Sequence, residues 1–553
     1  RVKKTLRISA YPLCISVKYF IQNLQFKIIM RCFDRLSMTN RMLRQAHHDN
    51  PKPGTRNPKP QTRNFKIFPR FFRLPFAAIQ VLAEIIIFTK NCSMRHYLFV
   101  LFAGLVLCLT SCRNDFEFEQ SAGGLEFSRD TVYLDTVFTN IGSSTYTLKV
   151  YNRSDKDIAI PSVKLKKADS KYRLMVDGMS GQSFTNVELM AHDSMYVFIE
   201  TTVDITQNTS ANQFLYTDEI EFTSTTGVQE VNLVTLIKDA YFLYPQRNDL
   251  GQYESVRFDS ESNTGEPVYL RGFNLDHADP NNGDEYHWDN SKPYVIYGYA
   301  TVPAGETLNI DPGARVHFHA ESGLMVRPGA TLKVNGLPSS DPEALENEVI
   351  FEGDRLEPGF SELAGQWGTV MIMSAEANTI SNLTIKNSGV GLFFRAPDGD
   401  TATLPNATLY NVQVYNSSTA GILTRRSTVT GDNVVINNAG TASLACTLGG
   451  TYTFRHCTFA NYNSTYNQVP VLVADNMENE DGTISVAPLN ATFANCIACG
   501  SGSFAIRHSR EGEDLGVAYN VAFNNCFIKF TDYSNQFASN NLYKFDNTGI
   551  VDY

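Results

Sequence analysis

The amino-acid sequence predicts an all-β chain: a sandwich of short strands followed by a parallel β-solenoid. Three observations predict it. Between Leu125 and Ala240, apolar and polar residues alternate in short runs separated by turn residues. From about Pro293 onward, short strands recur behind glycine or asparagine turns, six of them at spacings of about 22 to 39 residues. No long apolar run that could span a membrane follows Leu109.

Residues 1–93 differ in composition from everything after them. They hold 18 Lys or Arg against 3 Asp or Glu, which leaves 29 basic and 54 acidic residues for 94–553. The stretch "NPKPGTRNPKPQTRN" has no apolar period from which to build a core. We read 1–93 as translated upstream sequence; the competing reading is a basic arm for nucleic acid or membrane.

Residues 94–112 have the order of a secretory signal. Met94, Arg95 and His96 give a basic start, Leu98 to Leu109 an apolar run, and Leu109-Thr110-Ser111-Cys112 a processing site. This ending resembles the lipobox of bacterial lipoproteins, which implies that Cys112 is lipidated and anchors the chain. Residues 113–124 form an acidic tether. Its Asp115, Glu117 and Glu119 resemble the surface-export signal of Bacteroidota lipoproteins, implying the outer face of the outer membrane. The acidic mature chain disfavours nucleic acid as a partner, because phosphate contacts supply most of that affinity.

Residues 125–240 read as an immunoglobulin-like β-sandwich of about seven strands. In "YTLKVYN", Tyr146, Leu148 and Val150 alternate with Thr147, Lys149 and Tyr151. The order "DTVFTNIGSSTYTLKVYNRSDKDIAI" resembles bacterial immunoglobulin-like spacer modules. Residues 241–292 read as a connecting region. Within it Asp276, Asp279, Asn281 and Asp284 offer oxygen ligands of the kind calcium uses, in a spacing unlike an EF-hand loop. Calcium is the one cofactor with any claim, and a solvated acidic turn is the simpler reading.

Residues 293–553 carry the solenoid. Six segments superimpose: "NLTIKN" from Asn382, "NVQVYN" from Asn411, "NVVINN" from Asn433, "HCTFAN" from His456, "NCIACG" from Asn495 and "NCFIKF" from Asn525. The second and fourth residue of each is apolar or small, which strand alternation sends to one side. The leading Asn residues suit corners that need left-handed backbone. The pattern resembles right-handed parallel β-helix proteins of the pectate-lyase-like superfold, particularly surface lipoproteins that pair a sandwich with such a helix. Cys457, Cys496 and Cys526 share one inward column, so "CIAC" reads as core thiols, with a disulfide or a metal site as alternatives. The ending "NTGIVDY" shows no apolar cap, and truncation there is an expectation.

Aligning the strands that follow the ladder segments places Arg395, Arg425, Asp475 and Arg507 at one corner with Thr447, and Arg426 and His508 beside them. Clustered arginines suit a uronate or sulfate, which they can bind bidentately, so this corner is the candidate glycan-binding site. Outward ladder positions Thr384, Gln413, Val435, Thr458, Ile497 and Phe527 hold no carboxylate pair of the kind glycoside hydrolysis uses. The expected function is a non-catalytic surface lipoprotein presenting a β-helix to a polysaccharide or surface protein. The alternative is a polysaccharide lyase acting on an acidic glycan. The sequence sets no oligomeric state.

Overall fold

The computed structural model describes residues 117–204, 213–259, 266–397, 400–463, 468–479, 482–544 and 549–551. Residues 1–93, the signal and Cys112 lie outside them. The described chain is strand with two single-turn 3-10 helices.

The chain divides into two compact units. The smaller comprises Arg1–Ser121, Arg153–Ala159 and Glu188–His192. Among its described residues, Glu119–Gln120 pairs in parallel with Ile158 and Ala159, and Ala191 donates its N–H to Asp157.

The larger unit holds two sheets and the solenoid. One sheet sets Gln213–Thr223 between Ile158–Leu165 and Val228–Lys238, with Thr131–Phe138 parallel to the last. The second runs Glu126–Phe127, Tyr146–Tyr151, Ser194–Thr201, Tyr172–Val176, Met179–Gly181. Their inner faces meet where Phe127 packs on Phe222 at 4.8 Å and Tyr172 stacks on Tyr216 at 5.2 Å. Leu148 and Val150 are fully buried, as their alternation requires. The Tyr172 hydroxyl, carried into this core, hydrogen-bonds Thr235 at 3.0 Å, so its polar end is satisfied.

The parallel ladders begin at Tyr241, not near Pro293. Tyr241–Leu243 pairs with Tyr294–Ile296, Tyr269–Asn274 with Tyr299–Val302, and His287–Trp288 with Thr307–Ile310. Residues 241–292, expected as a connection, therefore supply the first coil. Each later coil runs through three faces in turn. The first face is an eleven-stranded parallel sheet; the second and third belong to one seventeen-stranded sheet that turns a corner.

The six segments stack in the register their sequences imply. Thr384, Gln413, Val435, Thr458, Ile497 and Phe527 are successive partners on the first face. Behind them Ile385, Val414, Ile436 and Phe459 form a buried inward column. Asn382, Asn411, Asn433, His456, Asn495 and Asn525 all have φ between 46° and 55°. Asn is enriched in this left-handed region because its short polar side chain bonds locally. Here the side chains also bond from coil to coil: Asn433 donates to Asn411 at 2.6 Å and Asn411 to Asn382 at 3.1 Å.

Phe454, Phe493 and Phe523 stack along the third face's inner side, at 5.7 and 4.9 Å. At the far end, Phe537 and Tyr543 pack on Phe530, and Tyr543 also meets His508. This aromatic cover on the last described coils is not visible as a cap in the sequence.

Candidate functional site

The arginine corner forms where the second face turns into the third. Phe394 pairs with Thr424 and Arg425 with Thr447, so Arg395, Arg425 and Thr447 stand in one outward column. The Arg395 guanidinium lies 4.4 Å over the Phe258 ring and 5.7 Å from Phe393; Arg425 lies 5.3 Å over Phe393. Arg395 is buried and Arg425 half-buried. The two cations thus share the Phe393 ring, which lowers the cost of keeping like charges on neighbouring rungs.

The rest of the predicted corner separates. Cys446 pairs with Val473, and Leu472 with Arg507, so Ala474 and Ser509 continue the arginine column instead of Asp475 and Arg507. Asp475 is one residue past that column, and an odd offset moves a strand side chain to the other face. It is fully buried, where it accepts N–H bonds from Glu511 at 2.9 Å and Gly512 at 3.1 Å, and the Asn476 amide at 2.9 Å. Its role is to fix the 511–512 turn.

Arg507 is two residues short of the arginine column, so it faces outward in the row of Phe393, Leu423, Ala445 and Leu472. Burial draws its guanidinium below its ordinary range. His508 points inward, in the column of Phe394, Thr424, Cys446 and Val473. Burial pushes its imidazole down to about 4, and Nδ1 meets the Tyr519 hydroxyl at 2.8 Å. It is a core histidine. Arg426 sits in the corner bulge with φ 47° and donates to the Thr401 carbonyl at 2.7 Å.

The acidic turn spends its oxygens locally. Asp276 accepts the Ala278 N–H, Asp279 those of Asn281 and Asn282, and Asp284 that of Tyr286. No group of three His, Cys, Asp or Glu side chains able to hold a metal ion gathers among the described residues. Cys496 and Cys499 likewise do not converge. Cys496 is buried and inward, while Cys499 is half-buried on the outer face beside Ala460. Residues three apart on a strand point to opposite sides, so "CIAC" cannot grip one ion from a single face. Cys446, Cys457, Cys496, Cys499 and Cys526 are all free thiols.

Sequence reasoning missed the outer side of the third face, where rows of threonine and asparagine lie in register. Its signal was available: "NATLYN", "TVTGDN", "TYTFRH" and "NATFAN" each set Thr or Asn five residues before the corner residue and Thr three before it.

No family model matches this sequence, and no curated protein does. Among solved structures, the catalytic unit of the thermostable GH87 α-1,3-glucanase from Streptomyces thermodiastaticus strain HF3-3 aligns at 10% identity, with TM-score 0.24, over 69% of this chain and 79% of its own. A tetrasaccharide complex of a GH87 catalytic domain gives 12% and 0.22, over 69% and 80%. The Vibrio cholerae VesB protease gives 12% and 0.14, over 21% of this chain and 31% of its own. Superpositions at such scores carry no argument, and the fold rests on the ladders described above.

Proposed function

We propose that the chain is a lipid-anchored surface protein, tethered through Cys112 to the outer membrane, whose sandwich is an immunoglobulin-like spacer. Its solenoid is then a right-handed β-helix that presents a glycan-binding corner without catalysing a reaction. The observation that carries this reading is the Arg395–Arg425 column over the Phe258 and Phe393 rings. Two guanidinium groups held on an aromatic floor suit a planar carboxylate or a sulfate, each of which accepts paired N–H bonds. The partner class is an acidic polysaccharide.

Catalysis lacks the same support. Two carboxylates on the ladder strands are already engaged: Asp432 on the third face is paired with Arg455, and Glu352 on the first with Lys386. The test is binding of polygalacturonate and alginate to the protein, followed together with the ultraviolet absorbance of unsaturated uronate products. Binding that weakens with salt and is lost in Arg425→Ala, with flat absorbance, supports the proposal. Rising absorbance that the same substitution abolishes would replace it with a polysaccharide lyase.

A further inference from the structure

The third face carries an order that the arginine corner does not use. Across five successive coils its strands pair in parallel with no shift in register from Ser427 onward. Asn406, Thr428, Thr451, Asn490 and Asn520 fall in one outward row. Two residues further on, Thr408, Thr430, Thr453 and Thr492 fall in a second, with Thr379 one coil earlier. Strands about 4.8 Å apart and a two-residue step of about 6.6 Å make this a rectangular array of hydroxyl, amide and methyl groups.

The array is open to solvent and already ordered. Every side chain in these two rows is exposed or half-exposed. No hydrogen bond within the described residues engages the hydroxyls of Thr408, Thr430, Thr453 or Thr492. Asn520 donates to Asn490 at 2.8 Å, keeping the first row in line. Threonine is stiff about its first side-chain bond, so little rotamer freedom is lost when a ligand lands. Beneath, the Phe454–Phe493–Phe523 stack forms a uniform backing. Gly431 completes it, since a Cβ there would lie 2.6 Å from the Phe454 ring.

The chemistry of the face narrows its partner. In the third row, Asp432 and Arg455 are the charged residues, and they close on each other through two hydrogen bonds of 2.6 Å. In these five coils an anionic polymer finds no uncommitted cation, Lys333 lying beyond them beside Thr379, and a protein helix finds no apolar groove. A ligand must instead exchange neutral hydrogen bonds at a repeat set by the coils. We infer that this face binds a neutral, hydroxyl-rich polysaccharide chain lying extended along the solenoid axis. The site is separate from the arginine corner and stands whether or not that corner takes an acidic glycan.

The test uses the protein with immobilised mannan, xylan and dextran, and polygalacturonate as the charged comparator. The variant is Thr430→Val with Thr453→Val and Thr492→Val, which removes three hydroxyls while keeping shape and strand preference; an unchanged melting temperature confirms its fold. At least one neutral polymer is expected to bind, insensitively to salt, and the triple variant to weaken that binding about tenfold or more. Arg425→Ala is expected to leave it unchanged while reducing polygalacturonate binding. Equal binding by the triple variant, retention of no neutral polymer, or loss of neutral binding in Arg425→Ala would each overturn the inference.

Discussion

Replacing Asn411 tests whether the asparagine corner holds the solenoid through backbone conformation as well as hydrogen bonds. Asn411 has φ 52°, donates to Asn382 at 3.1 Å and accepts from Asn433 at 2.6 Å. In Asn411→Ala the left-handed backbone costs about 1–2 kcal/mol. The two lost hydrogen bonds, partly exposed, add about 1 kcal/mol together at the low end of their range. The expected loss is therefore about 2–3 kcal/mol. Asn411→Gly loses the same bonds and gains unfolded-state freedom of about 0.5–1 kcal/mol but carries no strain, so its loss should be about 1.5–2 kcal/mol, and it should be more stable than the alanine variant by about 0.5–1 kcal/mol. Gln413, two residues on in the extended strand, should show the opposite order, with glycine worse than alanine. Guanidinium unfolding followed by tryptophan fluorescence reads this directly. The chain has two tryptophans, and Trp288 and Trp367 both lie in the solenoid core. Asn411→Ala as stable as Asn411→Gly would refute the strain argument.

Two further outcomes follow from the buried side chains. Maleimide at neutral pH should label Cys499 while Cys446, Cys457, Cys496 and Cys526 stay protected until the chain unfolds. Burial pushes Cys446 up to about 12, and hydrogen bonding to Cys457 helps raise Cys496 to about 11, so neither offers thiolate. Cys496 labelled as fast as Cys499 would contradict their placement on opposite faces. His508, which burial lowers from 6.5 to about 4, is neutral in the folded chain where the unfolded chain would take a proton. Its contribution is complete above pH 6.5 and is lost as pH falls towards 4, by on the order of 3 kcal/mol. His508→Phe should flatten that part of a plot of unfolding midpoint against pH, and an unaltered slope would place the acid sensitivity elsewhere.

The first face from Leu383 onward was legible in the sequence because each of its six aligned strands follows a corner residue in the left-handed region. That landmark, Asn or His at the same offset, fixed both register and parity, and the outward row from Thr384 to Phe527 emerged as aligned. The arginine corner had no such landmark. Alignment of "VLVADN" and "FAIRHS" by apolar content put Asp475 and Arg507 beside Arg425, but Phe504 pairs with Phe530 outside the ladder and Ile506 is the residue that meets Val471. An inward histidine is also invisible to hydropathy, so His508 read as a surface group. The coil at 241–292 was missed because its rungs are short and separated by acidic turns; His287–Trp288 contributes two residues.

One strand shows how closely the two candidate sites are set and why they remain distinct. Ala420–Asp432 carries Arg425 outward at the end of the second face, then Thr428 and Thr430 outward on the third. Simple alternation from Arg425 would send Thr428 and Thr430 inward and Val429 out to solvent. The bulge at Arg426 prevents this: Arg425 and Ser427 pair with Thr447 and Gly450, so one intervening residue faces two, and the parity changes at the corner. The neighbouring coil makes the same change with Leu448, Gly449 and Gly450, all at positive φ. Charge therefore stops at the bulge and a neutral array begins beyond it. Deleting Arg426 would take out the corner residue as well as a cation, yet plain alternation from Arg425 to Ser427 would still send Thr428 and Thr430 outward. A point substitution at Arg426 that keeps the bulge should leave the threonine rows in place.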